Sequence, residues 1–158
     1  MIIVKTNIIN INFLNLAGLL FCLFAMTTYS ATGFAQDSGG VLVCSDDSMI
    51  SKSSLINIRR IYLGLPASSD SKIKNPILNT TDIATYNIFL KNVMHMTEKG
   101  YRRKLVKQIF RQGRKNIPEI DNTRDLVSYL KQHRNDVSFM SADTAKNTQG
   151  IKVVQVLW

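Results

Sequence analysis

The chain has 158 residues, the length of one domain or of one domain preceded by a short targeting segment. It contains no internal repeat, low-complexity run or linker, which excludes repeat and multidomain architectures. Its formal net charge of +9 favours anionic partners such as phosphate groups, lipid head groups, nucleic acid or acidic polysaccharide, without selecting one of them.

The N-terminus has the order of a secretory signal peptide. One basic residue, Lys5, precedes an apolar run over residues 13–26, and small residues suit cleavage after Ala35. The alternative is a membrane anchor, but the run has 14 residues, whereas a spanning helix needs roughly 20. We therefore predict a cleaved signal peptide over residues 1–35 and a periplasmic or secreted mature domain over residues 36–158, with no transmembrane span.

The two cysteines are separated by this cleavage, because Cys22 leaves with the signal peptide and Cys44 remains. The mature domain then forms no internal disulfide and is held together by packing. Cys44 ends the apolar run 41–44, which predicts a buried strand and favours a core role for the thiol over a reactive one.

Strands and helices alternate along the mature chain. The apolar pattern predicts strands over residues 41–44, 76–79, 137–140 and 151–156. Three of the helices begin near the capping residues Ser51, Thr81 or Asp82, and Asn122 or Thr123, and another helix follows from about residue 97. This alternation predicts an α/β fold with a small mixed sheet flanked by about four helices.

Apolar residues recur at helical spacing in each predicted helix, which predicts a buried stripe. In the helix after Asp82 the stripe includes Ile83 and Phe89. In the helix after residue 97, Tyr101 and Phe110 are predicted on one apolar side.

A succession of short motifs runs through the mature chain: Ile-Tyr-Leu-Gly at 61–64, Phe89, Phe110 with Gly113, the helix at 126–130 and Val-Ser-Phe-Met at 137–140. In this order the motifs resemble the phosphate ABC transporter substrate-binding family, and the length resembles its small, single-domain members. The resemblance implies a single lobe of the type II periplasmic-binding-protein-like fold. It also implies noncatalytic binding of a small anion such as phosphate, with an ABC permease as partner.

The resemblance also indicates where an anion would bind. Counted back from Phe89, the family's phosphate-binding Arg corresponds to Asn79, and its Ser-Gly-Thr corresponds to residues 83–85, of which Thr85 matches. The implied ligands are the polar side chains around this helix start: Asn79, Thr80, Thr81 and Thr85. The alternative is that Thr80, Thr81 and Asp82 are only helix caps.

Eight basic residues and no acidic residue lie in the segment 99–115. Four of them are predicted to share one side of a helix: Arg103, Lys107, Arg111 and Arg114. This face favours docking on an anionic envelope surface or a partner protein. Aromatic residues do not interleave with the charges, which argues against nucleic acid. The alternative is a solvated face of a basic protein.

Motifs for catalysis are missing: the sequence has no serine nucleophile motif, no phosphate-cradling glycine loop and no paired acids. His95 and His133 have no carboxylate or cysteine at metal-ligand spacing. We therefore predict no enzyme, no cofactor and no metal site. Two hypotheses remain, a solute-binding protein and a ligand-free interaction module that docks through residues 99–115.

Overall fold

The computed structural model describes residues 39–69 and 71–158, so the predicted signal peptide lies outside the described residues. The elements in chain order are β1 (Gly40–Ser45), α1 (Leu55–Tyr62), β2 (Leu78–Asn79), α2 (Ile83–Ile88), α3 (Glu98–Gln112), β3 (Glu119–Ile120), α4 (Thr123–Gln132), β4 (Ser138–Ser141), α5 (Ala142–Lys146) and β5 (Ile151–Val156). A π-helical turn, Phe89–Met94, continues α2. The prediction of a mixed α/β fold with a small sheet is confirmed, and it is extended by α5 and β3.

β1 is the central strand of an antiparallel sheet in the order β4-β1-β5. Leu42 lies opposite Phe139 of β4, and the pairing with β5 shifts register after Leu42. β2 and β3 form a separate parallel pair. A parallel bridge between Pro76 and Val137, with the Ile77 N–H donating to the Val137 carbonyl at 2.8 Å, joins that pair to β4. The strands therefore follow the order β3-β2-β4-β1-β5, which leaves β5 at one edge.

Alternate side chains of β1 pack on opposite faces of the sheet, as expected for a strand buried on both sides. Leu42 and Cys44 join the core formed with α1, α2 and α3, whereas Val41 and Val43 pack with α4 and α5. Cys44 is fully buried, and burial raises the pKa of its thiol. Its predicted core role is thus confirmed.

Three aromatic rings fill the centre of the larger core. Phe89 stacks on Phe139 with ring centroids 3.8 Å apart, and Tyr62 meets Phe89 edge-on at 4.8 Å. Tyr62 ends α1, and its carbonyl accepts a hydrogen bond from the buried Tyr101 hydroxyl at 2.7 Å. Because carbonyls at the end of a helix lack intrahelical donors, this bond supplies a donor to one such carbonyl of α1 and also attaches α3 to the core.

The predicted helix starts are mostly confirmed. Asp82, Thr97 and Asn122 are the N-caps of α2, α3 and α4, and each side chain accepts from a backbone N–H of the first turn. The prediction that Ser51 caps the first helix is wrong, because α1 begins three residues later and Ser54 is its N-cap. Several serines precede α1, and the local sequence does not indicate which of them is the cap.

Two residues predicted to be buried are exposed. Ile83 is 62% exposed because α2 begins there and packs through residues of its next turn. Phe110 is 83% exposed, although Tyr101 and Leu105 of the same helix are buried. At 100° per residue, Phe110 lies about 140° around α3 from Leu105, so one helix side cannot bury both.

Candidate functional site

Two of the four predicted anion ligands connect strands of the sheet. Asn79 is 2% exposed, its Nδ2 donates to the Phe139 carbonyl at 2.7 Å, and its Oδ1 accepts from the Thr81 N–H at 3.0 Å. The Thr80 hydroxyl donates to the Ile120 carbonyl at 3.3 Å. These bonds tie β2 to β4 and β3, and they use the donors that the resemblance assigns to an anion.

Thr85 is engaged at the start of α2. Its hydroxyl donates to Asp82 Oδ2 at 2.6 Å, while Asp82 Oδ1 accepts from the Ala84 N–H at 2.9 Å. The hydrogen bond from Thr85 holds the pKa of Asp82 below its ordinary value. A carboxylate therefore occupies this helix start, where it completes the cap and repels an approaching anion.

Replacing Thr85 with Val is expected to lower the free energy of unfolding by about 1 kcal/mol at neutral pH, because the carboxylate cap loses its closest donor. The pKa of Asp82 is depressed in the folded state, so the bond contributes fully above the ordinary value of 3.8 and is lost as the pH falls from there through the lower pKa of the folded state. Urea unfolding at neutral pH and well below pH 3.8 measures this dependence. An equal loss at both pH values would contradict the role given to Asp82.

Thr81 is the predicted ligand that borders open space. It lines a cleft of about 850 Å³ together with Arg124 and Lys131 of α4. These two cations are seven positions apart and share one side of the helix. Thr81 thus lines this cleft with two basic side chains that no sequence motif indicated, since they follow it by more than forty positions.

Both histidines contact other residues of the chain, and His133 Nδ1 lies 3.0 Å from the Tyr129 carbonyl. Arg59 Nη2 lies 2.7 Å from His95 Nε2, and a guanidinium only donates, so this ring nitrogen is the acceptor. The hydrogen on Nδ1 is then directed at the Lys91 carbonyl, 3.2 Å away. Across residues 39–69 and 71–158, no group of three or more His, Cys, Asp or Glu side chains is placed to hold a metal ion.

α3 meets the core through a narrow stripe that includes Tyr101 and Leu105. The opposite side carries the exposed residues that we call the α3 outer face: Lys99, Arg103, Val106, Lys107, Phe110 and Arg111. Arg103, Val106, Lys107 and Phe110 fall within about 100° of one another around the helix. Two apolar side chains, Val106 at 50% and Phe110 at 83% exposure, therefore lie among the basic ones.

Arg102, a basic residue of the segment 99–115, is paired with acidic residues and does not belong to the α3 outer face. The Arg102 guanidinium donates to both oxygens of Glu119 at 2.6 and 2.8 Å, and it lies 3.6 Å from Glu98. This hydrogen bonding raises the pKa of Arg102 and lowers the pKa of Glu119. In the part of the chain that the structure describes, the basic residues of the α3 outer face form no ion pair.

The prediction that four basic residues share one side of a helix is wrong for Arg114. Arg103, Lys107 and Arg111 lie on α3, but Gly113 adopts a left-handed conformation with φ 59° and ends the helix. Arg114 follows this stop and lines a separate pocket of about 220 Å³ beside Gly64. The spacing of i, i+4, i+8 and i+11 suited a longer helix, and the glycine prevents the fourth residue from joining the face.

Like charges four positions apart on a helix destabilise it by a few tenths of a kcal/mol per pair. Arg103, Lys107 and Arg111 form two such pairs on the α3 outer face. A negatively charged surface would remove this repulsion, so the arrangement is suited to an anionic partner.

The chain matches no protein-family model and no curated protein. Within the described ranges, no helix has the length and apolar character needed to cross a membrane.

Proposed function

We propose that this protein is a noncatalytic binding module that docks on an anionic lipid surface through the α3 outer face. The observation that carries the proposal is the exposed Phe110, which shares one side of α3 with Arg103 and Lys107. Helices that lie in a membrane interface combine basic side chains with a large apolar residue that enters the boundary of the acyl chains.

The energies of such contacts are sufficient for reversible binding. Each Lys or Arg near an anionic membrane contributes about 1 kcal/mol, and burial of an exposed phenylalanine contributes about 1.5–3 kcal/mol. Four basic residues and Phe110 would together supply about 5–7 kcal/mol, which corresponds to affinities between millimolar and micromolar.

A lipid surface suits this face better than an acidic protein. A protein partner would need an apolar pocket placed to receive Phe110 between acidic side chains, whereas an anionic bilayer offers charge and an apolar layer everywhere along its surface. The predicted export of residues 36–158 would bring the face to the membranes of the cell envelope.

Replacing Phe110 with Ser tests the apolar part of the proposal. Sedimentation with vesicles of phosphatidylcholine, with and without phosphatidylglycerol, should show that the unchanged protein is retained by the anionic vesicles alone. The substitution should weaken this retention about ten- to a hundredfold, because the ring no longer enters the interface.

The matched control is Ile83→Ser, which removes an apolar side chain that is 62% exposed on α2, away from the α3 outer face. This control should bind as the unchanged protein does. Equal loss in both variants, or equal retention on vesicles with and without phosphatidylglycerol, would overturn the proposal.

A second candidate function is the binding of a small anion in the cleft beside Thr81. It is supported by the positions of Arg124 and Lys131 in that cleft and by the resemblance to phosphate-binding proteins. A single lobe of the type II periplasmic-binding-protein-like fold is part of this second proposal. Calorimetric titration with phosphate tests it, and the absence of heat at millimolar phosphate would remove it.

A further inference from the structure

The sheet has one long edge that is open. β3 at the far edge has two residues, whereas β5 has six, and among the described residues the backbone of β5 pairs with β1 and with no other element. An edge of this kind presents a row of unpaired N–H and C=O groups that can accept another strand. Proteins often protect such edges with outward lysines, but the Lys152 ammonium donates to the Ser48 carbonyl of its own chain.

Exposed apolar side chains lie on this strand and on a segment hydrogen-bonded to it. Five of the eight large apolar side chains that are exposed in the described ranges lie on β5 or between residues 49 and 56: Met49, Leu55, Ile56, Val153 and Val156. The segment 49–56 is joined to the strand by the Ser53 N–H, which donates to Gln155 Oε1 at 2.7 Å. Val153 and Val156 are 48% and 67% exposed on the side of α4 and α5.

We propose that a second copy of this chain pairs with β5 in the antiparallel direction, so that one sheet continues across a two-fold dimer. With the axis at the middle of the strand, Ile151 lies opposite Val156 of the other copy, and Lys152 lies opposite Gln155. The members of these two pairs lie on the same face of the sheet, as their partners on β1 show. The axis passes between Val153 and Val154, where the register shift of β5 places the two valines on opposite faces of the sheet. A two-fold interface uses the same surface from both copies and must complement itself.

The outer residues of β5 meet this requirement. In the proposed register, apolar ends meet apolar ends, and each lysine faces a neutral amide. Like charges directly opposite each other would destabilise a strand pair, and this register avoids them. Pairing of β5 with β5 of a second copy therefore brings matching side chains together at the outer positions on both faces of the sheet, which is why the second copy is the occupant that we infer.

The test is the sedimentation of the full chain in an analytical ultracentrifuge, over a range of concentrations and without lipid. The unchanged protein should form dimers, and the double variant Val153→Lys, Val156→Lys should weaken association about a hundredfold, because two added charges meet beside the axis and two more replace the valines that face Ile151 of the other copy. Both positions are exposed, so the monomer should keep its circular dichroism spectrum. The control Ile83→Lys, at an exposed position on α2, should dimerise as the unchanged protein does.

A second measurement keeps the proposal testable if the double variant fails to fold. Amide hydrogen exchange in β5 of the unchanged protein should slow as the protein concentration rises, while exchange in α4 stays constant. A monomer at the highest soluble concentration, or β5 exchange that is independent of concentration, would overturn the proposal. Because no vesicles are present, these results are independent of lipid docking.

Discussion

The triple variant Arg103→Glu, Lys107→Glu, Arg111→Glu is expected to lose its binding to phosphatidylglycerol vesicles while it keeps its fold. Each reversal removes an attraction of about 1 kcal/mol and adds a repulsion of similar size. The total of about 6 kcal/mol corresponds to a loss of more than about a thousandfold in affinity. The three side chains are exposed, so the free energy of unfolding should change little.

A matched triple variant distinguishes the effect of the α3 outer face on vesicle binding from the effect of net charge alone. Arg124→Glu, Lys131→Glu and Lys146→Glu change the net charge by the same amount at exposed positions on α4 and α5. This control should retain most of its vesicle binding, which is read by the same sedimentation assay. If both triple variants lose binding to the same extent, the vesicles respond to net charge, and the α3 outer face has no special role.

Replacing Phe89 with Ala is expected to lower the free energy of unfolding by about 3–5 kcal/mol. Phe89 is fully buried and stacks on Phe139 at 3.8 Å, with Tyr62 edge-on at 4.8 Å. Its removal would leave a cavity that the sheet on one side and α1 on the other cannot close. Since domains of this size are stable by about 5–15 kcal/mol in total, the variant should be close to unfolding at room temperature.

The same substitution at Phe110 is the control for this prediction. Phe110 is 83% exposed, so Phe110→Ala should change the free energy of unfolding by less than about 0.5 kcal/mol. Urea unfolding followed by circular dichroism measures both variants. Similar losses at the two positions would show that the assignment of core and surface along this part of the chain is wrong.

Features determined by local sequence were predictable. β1 and β5 were predicted from short runs of β-branched and apolar residues. The caps Asp82 and Asn122, each one of two neighbouring candidates, were predicted from short polar side chains before a helical pattern, and the start of α3 was predicted near residue 97. α5 was missed because five residues are too few to establish a helical period.

Features that depend on distant parts of the chain were not predictable. Asn79 looks like a free donor in the sequence, but its amide is used by the carbonyl of Phe139, sixty positions later. Arg102 differs from its basic neighbours because Glu119 lies beside it in the fold. Phe110 was predicted in the core because apolar residues occur on two sides of α3. The packing of α3 against Tyr62 and the sheet decides which of these sides is buried.

The most direct test of lipid docking is the fluorescence of a Phe110→Trp variant, read against the unchanged protein, whose single tryptophan is Trp158. Addition of phosphatidylglycerol vesicles should shift the emission of the variant to shorter wavelength, because the new ring enters the apolar boundary of the bilayer. Phosphatidylcholine vesicles and polyaspartate should leave it unchanged. A shift with polyaspartate, or none with anionic vesicles, would contradict docking of the α3 outer face on lipid.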